Sequence, residues 1–218
     1  MSLDALLDAA LPHVAFDGWT PTTFAAACED CNISPAEAQV FAPRGALDLA
    51  IAFHRRGDRA MVEKIQSTDM SELRFREQVA LALRLRLEAI SDREAVRRAS
   101  TLFSLPIHAA DGAKLVWETS DHIWTTLGDT SVDGNWYSKR AILSGVWGAT
   151  VLFWLGDDSP GSDDTHAFID RRIDDVMRFE KLKGQLRGNP VTKPLMDLQE
   201  ALWGRIRAPR KPTDVPGL

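Results

Sequence analysis

The chain has 218 residues, 44% of them hydrophobic and 26% charged, a balance that suits a folded globular protein and excludes bulk disorder. Its 14 Gly and 11 Pro are too few for a turn-rich β-sandwich or a fibrous repeat, while seven Trp and nine Phe against one Tyr ask for large apolar contact surfaces. The net charge of -5 divides unevenly: 17 basic residues face 27 acidic ones over 1–177, 9 face 4 over 178–218, and the first 43 residues hold six acids and no Lys or Arg.

The expected elements are helical nearly throughout. A first helix runs from Leu3 to Phe16. Thr20-Pro21 is an N-cap followed by Pro at the first helical position, opening a short helix to about Asp30. Ser34-Pro35-Ala36-Glu37 is a capping box for a second short helix that ends near Pro43. The three together read as a helix-turn-helix module. A longer helix is expected from Gly45 to about Thr68, with Leu47, Ile51, Met61 and Ile65 apolar. From Ser71 to Ile90 the leucines at 81, 83, 85 and 87 alternate as a strand would. Twenty residues without Gly or Pro, rich in Leu, Ala, Arg and Glu, still favour helix. Ser91-Asp92-Arg93-Glu94 is read as another capping box, for a helix closed by Pro106.

Asp111 to Leu127 follows, with Trp117 and Trp124 on one face. Gly128 to Asn135 is read as a loop, and Ser138 as the cap of the next helix. Its apolar stretch, Ala141 to Gly156, is shorter than the roughly 20 residues a membrane span needs, so a buried helix is expected. A further helix runs from about Asp163 to Leu186. Beyond Gly188-Asn189-Pro190, a last helix from Pro194 to Arg207 places Leu195, Leu198, Leu202 and Ile206 on one face with Trp203 at its edge. Arg205, Arg207, Arg210 and Lys211 cluster at its end, a pattern suited to an anionic membrane surface or to docking on protein. The domains read as 1–44, a degenerate helix-turn-helix module; 45–187, a helical ligand-binding domain; and 188–218, linker, amphipathic helix and basic tail.

Chemistry-bearing patterns are sparse. Cys28 and Cys31 have CxxC spacing without a second pair for zinc, and two small apolar helix residues are the simpler reading. With no disulfide framework, no basic leader and no long apolar run at the N-terminus, a reducing, cytosol-like compartment is expected. Asp129, Ser131, Asp133 and Gly134 imitate the start of a calcium loop, but Arg140 stands at the position that needs a bidentate Glu. His166, Asp170 and Asp174 fall on one helical face, more simply a solvated face than a metal site, and Glu118 with His122 lacks further ligands. No phosphate loop, nucleophile motif or zinc motif is present, so no cofactor and no enzyme activity are expected. DNA binding is disfavoured, because phosphate contact needs Lys and Arg and the expected recognition helix, Pro35 to Ala42, has neither.

The stretch from Trp124 to Ser144, WTTLGDTSVDGNWYSKRAILS, closely resembles the signature of the ubiquinone (coenzyme Q) biosynthesis lipid-binding protein family, whose fold is like that of TetR regulators. The likeness continues through Asp157-Asp158-Ser159-Pro160 and from Thr165 to Asp174, and covers roughly residues 1–185. It implies an all-α, TetR-like, non-enzymatic accessory protein that holds an isoprenoid lipid or quinone precursor in the effector pocket. It also implies attachment to a membrane surface through the C-terminal helix, docking onto the pathway's di-iron hydroxylase, and a homodimer. The implied localisation is cytoplasmic and peripheral to the inner membrane, or on the mitochondrial matrix side in a eukaryote. The family's partner patch carries over onto Asp121, Trp124, Gly128, Asp129, Asp133, Asn135, Trp136, Tyr137 and Arg140, with Ile123 where a Met occurs in a relative. Candidates for the lipid pocket are Leu83, Leu87, Phe103, Trp117, Leu143, Trp147, Val151 and Trp154, all equally explicable as core. Leu195, Leu198, Leu202, Trp203 and Ile206 are the expected membrane contacts. The rival reading is a TetR-type transcriptional regulator answering a lipid effector.

Overall fold

The computed structural model describes residues 1–187, with side chains as far as Arg178, and residues 207–209. Among these are nine α-helices: α1 Leu3–Asp17, α2 Pro21–Asp30, α3 Pro35–Ala38, α4 Ala46–Ser67, α5 Phe75–Glu88, α6 Arg93–Ser104, α7 Ala109–Thr126, α8 Gly134–Leu155 and α9 Asp163–Arg187, with a 3-10 turn at Pro160–Ser162. The amphipathic helix expected after Pro190, with Leu195, Leu198, Leu202, Trp203 and Ile206, lies outside the described residues.

Local chemistry sets most helix starts. Ser2, Thr20 and Ser34 accept hydrogen bonds from backbone N–H groups of the first turns of α1, α2 and α3, and Glu37 completes the capping box on Ser34. Four boundaries differ from the sequence reading. The second helix of the turn motif stops at Ala38, and the chain runs on in turns to Ala42 through bonds such as Phe41 N–H to Ala38 O. α5 begins at Phe75 rather than Ser71, because Glu77 caps the Arg74 N–H while the Gln78 amide donates to the Met70 and Leu73 carbonyls. α6 is capped by Asp92, whose carboxylate accepts from Ala95 N–H at 2.9 Å, rather than by Ser91. α8 is capped by Asp133 rather than Ser138, so the polar loop is shorter by a turn of helix.

Two apolar clusters form. The first gathers Leu6, Leu7, Ala10 and Val14 of α1, Phe24 and Ala27 of α2, and Ala38, then extends beyond residue 44 to Leu49 and Phe53 of α4 and to Ala95 and Ala99 of α6. Trp19 ties the module down by donating its indole N–H to Ala95 O at 3.0 Å. Acids of the front segment are partly spent internally: Asp4 and Asp8 hold Arg56 of α4. The second cluster joins the far half of α4 (Met61, Ile65) to α5, α7, α8 and α9 through Leu83, Ile123, Leu143, Trp147 and Ile169. Leu83, Leu85 and Leu87 are all buried although they alternate in sequence. α5 packs between α4 and α9, so more than one of its faces is covered and a single helical stripe does not develop.

α8 is buried along one face only, where the sequence reading expects a buried helix. Leu143, Val146, Trp147, Thr150 and Trp154 face inward, but Leu152 is 68% exposed and Phe153 37%. Phe153 stacks on Phe168 of α9 with centroids 4.4 Å apart. Among the described residues, no helix is long and apolar enough to cross a membrane.

Candidate functional site

Between α4, α6, α7, α8 and the end of α5 lies a cavity of about 650 Å³, within the usual range for a small-molecule pocket. Its walls are mainly apolar: Phe53, Ile90, Val96, Phe103, Leu115, Val116, Trp117, Trp147, Val151 and Leu152. Four of the eight expected pocket residues line it, namely Phe103, Trp117, Trp147 and Val151. Leu83, Leu87, Leu143 and Trp154 do not; they belong to the second apolar cluster. Trp154 instead lies against the Arg93 guanidinium, 4.8 Å from the ring centre. The wall depends on a small residue: a Cβ at Gly112 would stand 2.7 Å from the Phe103 Cβ, so α7 can approach α6 only with glycine there.

Sequence reasoning missed the polar end of this cavity. Arg86 of α5, buried, donates from Nε to Asp58 Oδ1 at 2.7 Å and from Nη2 to the His54 carbonyl at 2.9 Å. The Thr119 hydroxyl lies within hydrogen-bond distance of Asp58 Oδ1 at 2.9 Å, His54 Nε2 at 2.9 Å and Leu115 O at 3.1 Å, so its one proton is shared among three neighbours. A Cβ on Gly57 would fall 2.4 Å from Arg86 Nη1, so the glycine makes the guanidinium's seat. The available signal was the pair His54 and Asp58 at i, i+4, with an Arg set among the leucines of α5.

Burial pushes the His54 imidazole down, and the nearby Arg86 charge adds to this against the pull of Asp58, bringing its pKa to about 4. An unfolded His titrates near 6.5, so in the interval between the two values the unfolded chain binds more protons. Stability is therefore expected to be full above about pH 6.5 and to fall as pH drops toward 4, by up to about 3 kcal/mol from this group. Urea midpoints measured from pH 7.5 to 5 check it; His54→Gln should flatten the slope.

The second feature is the α7–α8 corner. Trp124 N–H donates to Lys139 O, and Asp129 N–H donates to Trp124 O, closing the end of α7 around Gly128, whose φ of 82° suits glycine. Asp129 then receives Lys139 Nζ at 2.8 Å and Arg140 Nη1 at 3.0 Å. These two cations take the carboxylate oxygens that a calcium ion would have used. Burial alone would raise the Asp129 pKa; the hydrogen bonds from Lys139, Ser131 and Arg140 outweigh it and hold the carboxyl at about 2. Arg140 also reaches Asp121 and stacks its guanidinium 3.9 Å from the Trp136 ring centre. Trp136 and Tyr137 meet edge to face at 4.7 Å, and both pack on Trp117, at 5.9 and 6.3 Å.

The expected patch therefore divides. Gly128, Asp133 and Asn135 are exposed, Asp121, Trp124, Trp136 and Tyr137 are half-covered, and the Asp129 side chain is only 3% exposed. Ile123 and Arg140 are buried, at 0% and 2% exposure, so they brace the surface from below instead of facing a partner. The Trp-Tyr pair is likewise not fully exposed, since Trp117 backs it. Residues 207–209 return to this corner: Ala208 N–H donates to Val132 O at 3.0 Å, and Tyr137 Oη to Arg207 O at 3.3 Å.

Other candidates disperse. Asp170 and Asp174 stay largely solvent-exposed, as the solvated-face reading expects, and pair across to α5 with Arg84 and Arg76. Glu118 pairs with Arg55, Cys28 is buried and Cys31 half-buried, both as free thiols. Among the described residues, no three His, Cys, Asp or Glu gather to hold a metal ion.

Residues 109–180, which carry the aromatic corner and the α7 and α8 walls of the cavity, match the COQ9 family. The ubiquinone biosynthesis protein COQ9, mitochondrial, of Rattus norvegicus is 31% identical over 201 residues, covering 88% of this chain and 64% of the relative. The Homo sapiens protein of the same name is 30% identical over 201 residues, covering 88% and 63%. A probable ubiquinone biosynthesis protein coq9, mitochondrial, of Dictyostelium discoideum is 29% identical over 190 residues, covering 83% and 61%. The chain is thus similar to COQ9 proteins over most of its own length. It spans less than two thirds of the length of these relatives. A TetR transcriptional regulator from Nitrosomonas europaea superposes with a TM-score of 0.64 at 20% identity, covering 78% of this chain and 95% of that one. The all-α architecture of this chain is thus TetR-like.

Proposed function

We propose that this chain is a COQ9-family, non-enzymatic, lipid-binding accessory protein of ubiquinone biosynthesis. Its cavity takes an isoprenoid quinone precursor, and the α7–α8 corner presents that lipid to the pathway's di-iron hydroxylase. The observation that carries the reading is Trp117, which stands in the cavity wall and also backs Trp136 and Tyr137. One side chain thus joins a lipid-sized apolar space to a surface with the aromatic and charged composition of an interaction hot spot. Enclosing a prenyl tail removes apolar area from water at about 25 cal/mol per Å², which favours a carrier over free diffusion. The exposed Leu152 and the Phe153–Phe168 stack suit cover by a second copy, and the basic segment 188–218 suits a peripheral membrane contact. The regulator reading is weaker: α3 has four residues and no cation, and Arg44, the first basic residue of the chain, is held by Asp48 and Asp111.

Native mass spectrometry after detergent-free purification, followed by organic extraction, tests the carrier reading. A co-purifying isoprenoid or quinone-like lipid is expected. Protein that is empty, and stays empty against liposomes containing polyprenyl quinone, would refute it. Gly148→Phe supplies the control: Gly148 lines the cavity and a Cβ there meets nothing within 4 Å, so the ring should fill the space. Lipid should be lost while the thermal midpoint holds or rises, since replacing a helical glycine gains up to about 1 kcal/mol.

A further inference from the structure

The polar end of the cavity has its own chemical preference. Trp147 is 1% exposed and lines the cavity, yet among the described residues its indole N–H has no hydrogen-bond partner. A buried N–H without an acceptor costs about 1–3 kcal/mol, so most folded proteins do not leave one unpaired. The Arg86 guanidinium lies 5.3 Å from the Trp147 ring centre, and it too lines the cavity. Its Nε and Nη2 are engaged, whereas Nη1 makes no hydrogen bond among the described residues and sits over Gly57. Two unused donors therefore stand at one end of an otherwise apolar space. The charge there is already balanced, because Asp58 pairs with Arg86 at 2.7 Å and both are buried. A carboxylate or phosphate would bring a charge with no free counter-charge to meet it, and burying it would be costly. An uncharged oxygen acceptor would satisfy both donors without that cost.

We propose that Trp147 and Arg86 form a head-group subsite that binds a neutral oxygen acceptor, a ring carbonyl, hydroxyl or ether of an aromatic or quinone head, with the prenyl tail against the apolar wall of Val151, Val116 and Phe103. The proposal rests on the carrier reading above and adds to it which end of the lipid is recognised and by which atoms. The head is held by hydrogen bonds that a hydrocarbon cannot make, and the tail by contacts that any isoprenoid makes.

The test compares two probes in the full chain: decylubiquinone, a neutral quinone, and squalene, an isoprenoid hydrocarbon without oxygen. Each competes for a fluorescent alkyl probe in wild type and in Trp147→Phe, which keeps an aromatic ring at this position and removes the N–H together with part of the ring area, so squalene measures the packing loss. Affinity for the quinone should fall about tenfold, the scale of one lost hydrogen bond, while affinity for squalene stays within about twofold. Equal loss of both would mean Trp147 acts by packing alone, and an unchanged quinone affinity would remove the donor role; either overturns the subsite and leaves the carrier reading intact. Binding of neither probe to wild type would overturn the carrier reading and the subsite together. An independent readout needs no variant to fold: in wild type with ¹⁵N-labelled tryptophan, the Trp147 indole N–H resonance should move downfield with decylubiquinone and not with squalene. A resonance that stays in place while the quinone is bound overturns the proposal.

Discussion

Arg140→Ala should destabilise the protein by about 3–5 kcal/mol, the scale of removing one partner from a buried ion pair. At about 2–4 °C per kcal/mol for a chain of this size, the thermal midpoint should drop by roughly 10 °C. The reason lies in what the guanidinium serves at once. Its Nη1 meets Asp129 and the Trp136 carbonyl, its Nε meets Asp121, and its face lies under the Trp136 ring. Without it, Asp129 keeps Lys139 and Ser131 but one carboxylate oxygen loses its buried donor. The Asp129 pKa should then rise from about 2 toward its ordinary value. A carboxylate held low contributes stability above about pH 4 and loses it as pH falls toward 2. That acid-sensitive component should therefore shrink in the variant. Differential scanning calorimetry at pH 7 and pH 3 measures both effects. A variant as stable as wild type at pH 7 would show the pair to be worth nothing net. Because Trp136 rests on Arg140, the same substitution should also loosen the aromatic corner, visible as altered near-ultraviolet dichroism.

Arg86→Met is the second large effect, again about 3–5 kcal/mol at pH 7.5. The methionine fills much of the volume, so the loss reflects Asp58, 1% exposed, left buried with Thr119 and His54 as its remaining partners. The double variant Asp58→Asn with Arg86→Met removes both charges and should recover much of the loss, giving a non-additive cycle. The sign of the pH response follows from the same contacts. Arg86 helps hold the His54 pKa at about 4 while Asp58 pulls it up, so removing Arg86 raises it. Protonated His54 then supplies the positive charge that Asp58 has lost. The single variant should accordingly be less impaired relative to wild type at pH 5.5 than at pH 7.5. Urea unfolding at the two pH values decides; an equal deficit at both would mean His54 does not respond to Asp58.

Much of the fold was legible in local patterns. Thr20-Pro21 and Ser34-Pro35-Ala36-Glu37 marked helix starts because a cap acts within one turn of chain. The same rule misled at Ser138, which has the right chemistry but stands inside α8, since Asp133 caps first. On the corner, sequence matching found the residues but not their depth. Ile123 and Arg140 share a stretch with Trp136 and Tyr137, and only the turn of α7 and α8 against each other sends the first two inward.

The amino-acid sequence by itself determined an all-helical chain, the likeness to a lipid-binding family, and the cation at Arg140 that defeats a calcium loop. Composition, caps and short motifs are local properties, and they survive any arrangement of the helices. Only the tertiary structure decided which apolar residues line a cavity and which merely fill the core. Leu83, Leu87, Leu143 and Trp154 are as hydrophobic as Phe103, Trp117, Trp147 and Val151, and burial alone does not separate them. The separation depends on where α4, α6, α7 and α8 fail to close on one another. It also brings Asp58, Arg86 and Thr119 together from three helices far apart in sequence, because buried charges persist only where the fold supplies each with its partner.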